Sequence, residues 1–391
     1  MQTRGKILVT DGRSLAALAI ARSFGEKGFE VHCGEEFSLN VTSFSKYVKK
    51  TWIYPSPESQ PESFIEEIKN ITAKEKFDMI IPVRDAATLL IAKHADDLSE
   101  ITNVFSAEYD LIETLQDKGK TIRLAERYGI PHPKTFFPED GGIKNVAATF
   151  KTPFLIRARI SSGSRGIAYV RSLSEFEQQY ESIKKAFGEP IIQEYVQKQS
   201  YCTACVLLDH NSREVAAFTY ERVKEYPISG GPTVVGISCD NPQVKAYALQ
   251  LLQSLKWKGV AEVEFIIDKD GIPKLLEVNP RYWMPLKLAL RSGVDFPYLQ
   301  YQLATGKKID KVLEYQLGVK YRWMLPNEIL WLFQTKNKAQ GLLDLLQFRE
   351  KDTCHATYNK EDLKPLFGIF AQGLYFLAHS EKRKFMFKRG W

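Results

Sequence analysis

The sequence predicts a mixed fold: an α/β domain, then an α+β domain, then a helical extension at the C-terminal end. Three observations support this prediction. Strand and helix patterns alternate over residues 5–105, hairpin patterns follow at residues 152–170 and 259–281, and residues 307–391 are amphipathic and rich in aromatics. Alternating strands and helices are typical of a parallel sheet with helices on its faces, whereas hairpins join antiparallel strands.

The first domain has the strand patterns KILVTDG, FEVHCGE and DMIIPVRD, separated by amphipathic helix patterns. In the first helix, SLAALAIARSFGEKG, Ser14 is placed to cap the beginning and Gly28 to end it. Ligands of parallel sheets bind beyond the carboxyl ends of the strands. The polar residues at those ends are Asp11, Arg13, Arg84 and Asp85.

A dinucleotide site is not predicted at this edge. Such a site needs G-x-G-x-x-G after the first strand, and this chain has only Gly12 there. Arg84 and Asp85 have two interpretations that the sequence leaves open, namely ligand binding or a helix cap with a surface charge. The sheet edge is therefore a candidate ligand site whose role the sequence leaves open, and NAD is not expected there.

A helix pattern at about residues 108–128 ends in YGIPHPKT, because Pro131 and Pro133 cannot continue a helix. We place the first domain boundary near residue 110. The segment TPFLIRARISSGSRGIAYV then has two strand-like runs around S-S-G-S-R-G. Small residues let backbone N–H groups approach a phosphate, so this loop is either a phosphate-binding flap or a plain hairpin loop.

Further along, SLSEFEQQYESIKKAF opens with Ser174 and Glu177 in the spacing of a capping box. The strand EPIIQEYV becomes polar at Gln193 and Glu194. The segment ERVKEYPISGG then offers a cation pair before a tight turn, and this pair is Arg222 and Lys224.

The segment GVAEVEFIIDKDGIPKLLEVNPR predicts a hairpin with a D-K-D-G turn. With Ile267 opposite Ile272, directly opposed residues share a face and faces alternate along each strand. The residues predicted to share one face are Glu262, Glu264, Leu275, Glu277 and Asn279. Clustered carboxylate and amide oxygens suit magnesium or manganese with phosphate, and the alternative is structural ion pairing to Arg281.

Composition limits the classes of function. The chain has 391 residues, 54 Lys and Arg against 47 Asp and Glu, and a net charge of +7. This mild basic excess suits an anionic small ligand, and no basic stripe is long enough to favour nucleic acid. The start of the chain lacks a signal-peptide pattern and no run of 18 apolar residues occurs, so we expect a cytoplasmic protein.

Metal or redox chemistry at cysteine or histidine is not predicted. Cys202 and Cys205 form a C-x-x-C on a strand, where residues three apart point to opposite faces. The histidines have no metal-ligand spacing. We therefore interpret the cysteines as core residues.

Taken in order, the flap, the hinge strand and the polar hairpin resemble the ATP-grasp superfamily, and within it the carbamoyl-phosphate-synthase-like carboxylate–amine ligases. The resemblance covers about residues 5–306, and LLEVNPR with Glu264 one strand earlier is its most specific part. It implies a Rossmann-like domain at residues 1–110, a two-lobed ATP-grasp domain at residues 111–306, and an extension at residues 307–391.

The resemblance also implies site residues, with ATP and Mg²⁺ (or Mn²⁺) as cofactors. The implied metal ligands are Glu264, Glu277 and Asn279. The residues implied to contact the nucleotide are Lys118, Arg157, Ser161, Ser162, Gly163, Ser164, Arg165, Gly166, Gln193, Glu194, Tyr195 and Val196. The residues implied to face the γ-phosphate, the acyl phosphate or the substrate carboxylate are Arg222, Lys224 and Arg281.

The chain departs from the family pattern at two places. Arg157-Ala158 stands where the family usually has Lys-Pro, and Trp283-Met284-Pro285 stands where small residues are commoner. Arginine keeps the positive charge, but its planar fork differs from an ammonium group. The first departure bears on how the nucleotide is bound, and the second on the shape of the acceptor pocket.

The resemblance implies that ATP phosphorylates a carboxylate and that an amine, or a thiol, then attacks the acyl phosphate. The implied partners are small-molecule carboxylate and amine substrates, and a homodimer is left open. Two alternatives are an ATP-grasp kinase that phosphorylates a small molecule and a non-catalytic nucleotide-binding regulator, which Arg157 motivates.

The end of the chain, EKRKFMFKRGW, interleaves cations with aromatics. Its cations are Lys382, Arg383, Lys384, Lys388 and Arg389. The interpretation that we favour is a helical appendage with a solvated basic tail. The alternatives are weak contact with an anionic membrane surface or a lipid-linked substrate, and binding of an acidic partner protein.

Overall fold

The computed structural model of the chain describes residues 4–161, 165–228, 230–348 and 350–379. Its first unit is a parallel sheet, with strand order β3-β2-β1-β4. The elements are β1 (Lys6–Val9), α1 (Leu15–Glu26), β2 (Glu30–Glu35), β3 (Val48–Ile53), α2 (Pro61–Glu75), β4 (Met79–Ile81), α3 (Asp85–Lys93) and α4 (Ala95–Ser99). The predicted parallel sheet is confirmed.

The ends of α1 follow from the sequence. The Ser14 side chain accepts a hydrogen bond from the Ala16 N–H at 3.2 Å, and Gly28 has a φ of +81° just beyond the helix. A side chain at Gly28 would be strained at that φ, so glycine ends the helix there. Strand β3 was not predicted, because its sequence VKKTWI places charged and partly exposed residues in an edge strand.

The single helix predicted at about residues 108–128 is two helices, α5 (Tyr109–Gln116) and α6 (Lys118–Arg127). The break occurs at Asp117, whose carboxylate accepts a hydrogen bond from the Lys120 N–H at 3.0 Å and so caps α6. This cap makes Lys118 the first residue of α6, where it is buried.

A second, antiparallel sheet follows, with strand order β5-β8-β6-β7. The elements of this small lobe are β5 (Thr135–Phe136), α7 (Pro138–Gly141), α8 (Val146–Thr149), β6 (Phe154–Arg157), β7 (Ile167–Val170), α9 (Phe176–Phe187) and β8 (Ile191–Glu194). The predicted capping by Ser174 is wrong: Ser172 accepts from the Ser174 N–H at 3.4 Å and begins a short 3-10 turn, after which α9 starts at Phe176.

The third sheet has seven strands in the order β13-β12-β9-β10-β11-β14-β15. Its strands, with the helices between and after them, are β9 (Lys198–Leu208), β10 (Glu214–Glu225), β11 (Thr233–Cys239), α10 (Pro242–Ser254), β12 (Gly259–Asp268), β13 (Pro273–Asn279), α11 (Leu286–Arg291), α12 (Phe296–Ala304), β14 (Lys320–Arg322), α13 (Ile329–Gln334), α14 (Lys338–Leu346), β15 (Thr353–His355) and α15 (Lys364–Ala378). The segment predicted as a helical extension therefore also adds two strands, β14 and β15, to this sheet.

The seven-stranded sheet is buried on both faces. Cys205 and Phe218 belong to a core shared with the parallel sheet, whereas Cys202 and Phe265 pack on the opposite face with α10. The prediction that Cys202 and Cys205 point to opposite faces is confirmed. Within the described residues, no helix combines the length and apolar composition that a membrane crossing requires.

Candidate active site

The hairpin of β12 and β13 carries a polar cluster on one face of the large sheet. Glu262 is directly opposite Asn279, and Glu264 is directly opposite Glu277. Because directly opposed residues share a face, the four side chains point the same way. The Asn279 amide nitrogen donates to Glu262 Oε2 at 3.0 Å and to Glu264 Oε1 at 3.1 Å. The predicted shared face of these four residues is confirmed.

A β-bulge corrects the rest of the predicted register. Phe265 pairs with Leu275 and Ile267 pairs with Pro273, so Leu276 is the extra residue between the two parts of the hairpin. One extra residue moves the following side chain to the other face. Leu275 therefore lies in the core rather than on the polar face, and the predicted pairing of Ile267 with Ile272 is wrong.

Two cations from different parts of the chain meet at Glu277. Lys118 Nζ, at the start of α6, lies 3.3 Å from Glu277 Oε2 and donates to the Ser161 carbonyl at 2.8 Å. Arg157 Nη2, at the end of β6, donates to the same Glu277 oxygen at 3.2 Å. Burial acts to raise the pKa of Glu277, but the charges of Lys118 and Arg157 outweigh burial and hold that pKa below its ordinary value.

Arg222 neutralises the second carboxylate. Its Nη2 donates to Glu264 Oε2 at 2.5 Å. Burial would lower the pKa of Arg222, yet the neighbouring Glu264 carboxylate raises it. The Nε–H groups of Arg157 and Arg222 are buried and have no hydrogen-bond acceptor within the described part of the chain. Buried guanidinium donors of this kind suit an anionic ligand, since an unpaired buried donor is costly.

Glu262 is a buried acid of the cluster with a raised pKa. Burial and the nearby Glu264 charge raise its pKa to about 7. Tyr220 donates its hydroxyl to Glu262 Oε1 at 2.9 Å. The sequence placed Glu262 on the polar face without giving it a role, and it gave no signal for Tyr220, which comes from β10, separated from β12 by β9.

Arg281 joins the cluster to the parallel sheet. Its Nε donates to Asp85 Oδ1 at 2.7 Å, and its Nη2 donates to Asn279 Oδ1 at 3.1 Å. Asp85 is the first residue of α3, beyond the carboxyl end of β4. The edge where the sequence predicts ligand binding therefore borders the polar hairpin. Asp11, by contrast, is buried and accepts from the Arg84 N–H at 2.9 Å.

The structure does not bring Lys224 to this cluster. Arg222 pairs with Gly236, but Lys224 pairs with Val235, because Val223 forms a bulge between them. Lys224 therefore shares the opposite face with Val235. Its Nζ lies 3.3 Å from Glu328 Oε1 and 2.9 Å from Asp344 Oδ2. The expectation that Arg222 and Lys224 act as a pair is corrected by this bulge.

Part of the implied flap lies outside the described residues, namely Ser162, Gly163 and Ser164. At its ends, Ser161 accepts from Lys118, and Arg165 with Gly166 leads into β7. Gly166 has a φ of +72°, and a Cβ there would lie 2.6 Å from the Ala158 Cβ. Ala158 donates its N–H to the Gly166 carbonyl at 2.7 Å, a bond that the proline expected from the resemblance could not make.

The implied hinge is held by polar contacts. Gln193 is buried, accepts from Arg157 Nη1 at 3.0 Å and donates to Thr135 Oγ1 at 2.9 Å, so its side chain positions Arg157. Glu194 accepts from Lys274 Nζ at 2.9 Å. Sequence reasoning missed Lys274, although a lysine inside a partly buried strand was a usable signal. Tyr195, which precedes Val196, is exposed.

The donor set fits magnesium when phosphate supplies further ligands. Among the described residues, no group of three or more His, Cys, Asp and Glu side chains could hold a metal ion by itself. Glu264, Glu277 and Asn279 offer two carboxylates and one amide, which is the share that Mg²⁺ usually takes from protein beside a nucleotide. Asn279 directs its nitrogen at the carboxylates and its oxygen at Arg281, so ligation by Asn279 requires its amide to turn.

The chain combines a parallel-sheet domain, a small antiparallel lobe and a large sheet. The three parts meet at the cluster of cations and carboxylates described above. This arrangement defines a fold of the ATP-grasp class. A model of the family described as "ATP-grasp in the biosynthetic pathway with Ter operon" matches residues 186–326. The predicted resemblance to the ATP-grasp superfamily is confirmed by this match and by the relatives that follow.

Two curated relatives illustrate the likeness. The D-aspartate ligase of Enterococcus faecium (strain Aus0004) is 24% identical over 305 residues, which are 69% of this chain and 70% of that protein. The biotin-dependent acyl-coenzyme A carboxylase alpha3 subunit of Mycobacterium leprae (strain TN) is 25% identical over 215 residues, which are 51% of this chain and 36% of that subunit. The chain thus spans about a third or less of the carboxylases it matches.

Solved structures show the same fold. The biotin carboxylase domain dimer of 2-oxoglutarate carboxylase from Hydrogenobacter thermophilus, a complex with MgADP, ADP and bicarbonate, has a TM-score of 0.66 at 18% identity and covers 82% of this chain and 74% of its own. N5-carboxyaminoimidazole synthetase from Staphylococcus aureus has a TM-score of 0.64 at 15% identity and covers 82% of each chain. At these identities the likeness shows the fold alone.

Proposed function

We propose that the chain is an ATP-dependent carboxylate–amine ligase, or carboxylate–thiol ligase, that works through an acyl phosphate. The observation that carries this proposal is the convergence of Lys118 and Arg157 on Glu277, beside Glu264 and Asn279. Two carboxylates and one amide beside buried cations suit a nucleoside triphosphate with its metal ion. The D-aspartate ligase similarity, which spans most of both chains, supports the same reaction class.

Each group has a proposed role. Lys118 and Arg157 bind the phosphates of ATP, and the hinge residues 193–196 hold the base. Glu264, Glu277 and Asn279 hold Mg²⁺, which would neutralise charge on the transferred phosphoryl group. Arg222 lies on the polar face, and Arg281 lies at the border with the parallel sheet. From these positions both arginines orient the substrate carboxylate or the γ-phosphate.

The proposed reaction needs no side-chain nucleophile. A substrate carboxylate oxygen forms a bond to the γ-phosphorus while the bond to the ADP oxygen breaks. The amine nitrogen then bonds to the acyl carbon, phosphate leaves, and the amine gives up a proton. The chain would contribute orientation, charge and exclusion of water from the acyl phosphate by the flap.

The substrates follow only in class. The parallel-sheet edge beside Asp85 and Arg281 offers both an acid and a cation, which suits a zwitterionic or carboxylate-bearing small molecule. Since one relative is a D-aspartate ligase, D- and L-amino acids are the first compounds to test.

The test is phosphate release by the purified full chain with ATP and Mg²⁺, over a matrix of carboxylates and amines. A ligase releases phosphate only when both substrates are present, and mass spectrometry detects the joined product. Phosphate transferred to one acceptor without joining would favour a kinase instead. ATP binding without turnover across a broad matrix would favour a regulator and contradict the ligase.

A further inference from the structure

Helix α15 exposes an unbroken apolar stripe. We define the α15 stripe as Phe367, Phe370, Leu374 and Leu377, whose side chains are 70%, 60%, 68% and 43% exposed. Residues spaced by three and four lie on one side of a helix, so these four form a single face. A contiguous apolar face of this kind usually marks a contact surface.

The opposite side of α15 fixes the orientation of the stripe. Gln372 Oε1 accepts from the Val41 N–H at 2.9 Å, and Gln372 Nε2 donates to the Arg13 carbonyl at 3.3 Å. Tyr375 stacks on Phe37 with ring centroids 4.3 Å apart. Because these contacts hold α15 against the first domain, the stripe faces away from the protein.

Close packing at Gly368 strengthens this attachment. A Cβ at Gly368 would lie 3.0 Å from the Phe44 ring and 3.1 Å from the Val41 backbone, so the helix rests directly on the segment after β2. The stripe therefore cannot turn inward without losing this contact and the Gln372 hydrogen bonds. The stripe is therefore available to a surface or molecule outside the described residues.

The sequence that follows the stripe indicates what covers it. Residues 380–391 have one acid, Glu381, against five cations, with Phe385, Phe387 and Trp391 among them. These residues lie outside the described part of the chain and enter the argument by sequence alone. Cations and aromatics directly after an apolar helix face are complementary to an anionic lipid surface, where apolar side chains enter the interface and cations meet the headgroups.

We propose that the α15 stripe docks the protein on an anionic lipid surface, an occupant that the cationic sequence of residues 380–391 favours. At 1.5 Å per residue the 15-residue helix is about 22 Å long, shorter than the ~30 Å hydrocarbon core of a bilayer, so it would lie in the interface. A second copy is a poorer occupant. In a two-fold contact between two α15 stripes, the basic residues after α15 in one copy lie near positive charge in the other copy. That charge comes either from the same basic residues or from Lys360 and Lys364 at the other end of the helix, so the two copies repel each other.

The test is co-sedimentation of the full chain with vesicles of phosphatidylcholine alone and of phosphatidylcholine with phosphatidylglycerol. We expect binding to the anionic vesicles that falls steeply between low and high salt, and little binding to the neutral ones. Phe367→Ser and Phe370→Ser should each weaken binding on the order of tenfold, because each removes exposed apolar area from the interface. Removal of residues 380–391 should abolish the preference for anionic vesicles.

Phe333→Ser is the matched control, since Phe333 is 71% exposed but lies on α13. An equal loss in that variant would overturn the assignment to α15. Failure of the full chain to bind anionic vesicles at low salt would overturn the proposal itself. If stripe variants instead turn an oligomer into a monomer without changing vesicle binding, a second copy covers the stripe. The proposal is independent of the ligase reaction, and the circular dichroism spectrum and melting temperature of each variant serve as the folding check.

Discussion

Replacing Arg157 with alanine should weaken ATP binding strongly. Arg157 is buried and joins the two lobes, because its Nη1 contacts Gln193 at 3.0 Å and its Nη2 contacts Glu277 at 3.2 Å. Its Nε–H has no acceptor in the described chain and is available to a phosphate. The alanine variant loses the cation and leaves Lys118 as the remaining cation on Glu277.

The magnitude follows from the contacts. A hydrogen bond to a charged group contributes about 1.5–3 kcal/mol. The loss of a buried, charge-assisted phosphate contact at about 2–3 kcal/mol corresponds to a roughly 30- to 150-fold higher Kd for ATP. Arg157→Lys keeps the positive charge, but a single ammonium group cannot contact Gln193 and Glu277 at the same time. We therefore expect a smaller rise in the Kd for ATP, of roughly tenfold.

The assay is isothermal titration calorimetry with ATP and Mg²⁺. The melting temperature of each variant is measured as well, to show that it is folded. Arg123→Ala is the control, because Arg123 is partly exposed on α6 and pairs with Glu126 and Asp140 instead of the cluster. We expect its ATP affinity to change by a few fold at most. An unchanged Kd in a folded Arg157→Ala variant would refute the assignment of Arg157 to the phosphates and would favour the regulator.

Three further predictions test the site. Glu277→Gln should lower turnover a hundredfold or more, since it removes the proposed charged metal ligand. The control Glu221→Gln, on the exposed surface of β10, should leave turnover unchanged. Equal turnover rates in the two variants would show that Glu277 does not belong to the site. Gly166→Ala should lower turnover at least tenfold by strain at positive φ against Ala158, and a normal rate at an unchanged melting temperature would show that the flap tolerates it. Lys224→Met should change the Kd for ATP by a few fold at most. It should reduce the melting temperature, because the buried Glu328 carboxylate loses one of its cationic partners. Loss of ATP binding in this variant would place Lys224 in the site.

Much of the polar cluster was predictable because side-chain direction in a strand has a period of two. The spacing of Glu262 and Glu264, and of Glu277 and Asn279, fixed which residues share a face once a hairpin was assumed. Helix ends such as Ser14 were predictable for a similar reason, since a cap depends on residues a few positions away. These features depend on local geometry alone.

The bulges were not predictable from the pattern. The extra residue Leu276 keeps Glu264 and Glu277 together on the polar face of the β12–β13 hairpin, whereas the extra residue Val223 moves Lys224 off that face in β10. A bulge is selected by how both faces of a strand pack against their neighbours, and that packing is not written in the alternation of polar and apolar residues. One bulge therefore preserves a prediction from the alternation of residues, and a second bulge in another strand overturns one.

The amino-acid sequence by itself determined that this chain has a parallel-sheet domain, a glycine-rich loop between strands, and a hairpin with its acids and amide on one face. Only the tertiary structure decided that Lys118, Arg157 and Glu277 meet, that Asp85 reaches Arg281, and that α15 turns its apolar side outward. These contacts join residues from separate elements across long stretches of chain. Their geometry depends on how whole sheets and helices pack together, whereas period and spacing describe only the nearest neighbours along the chain.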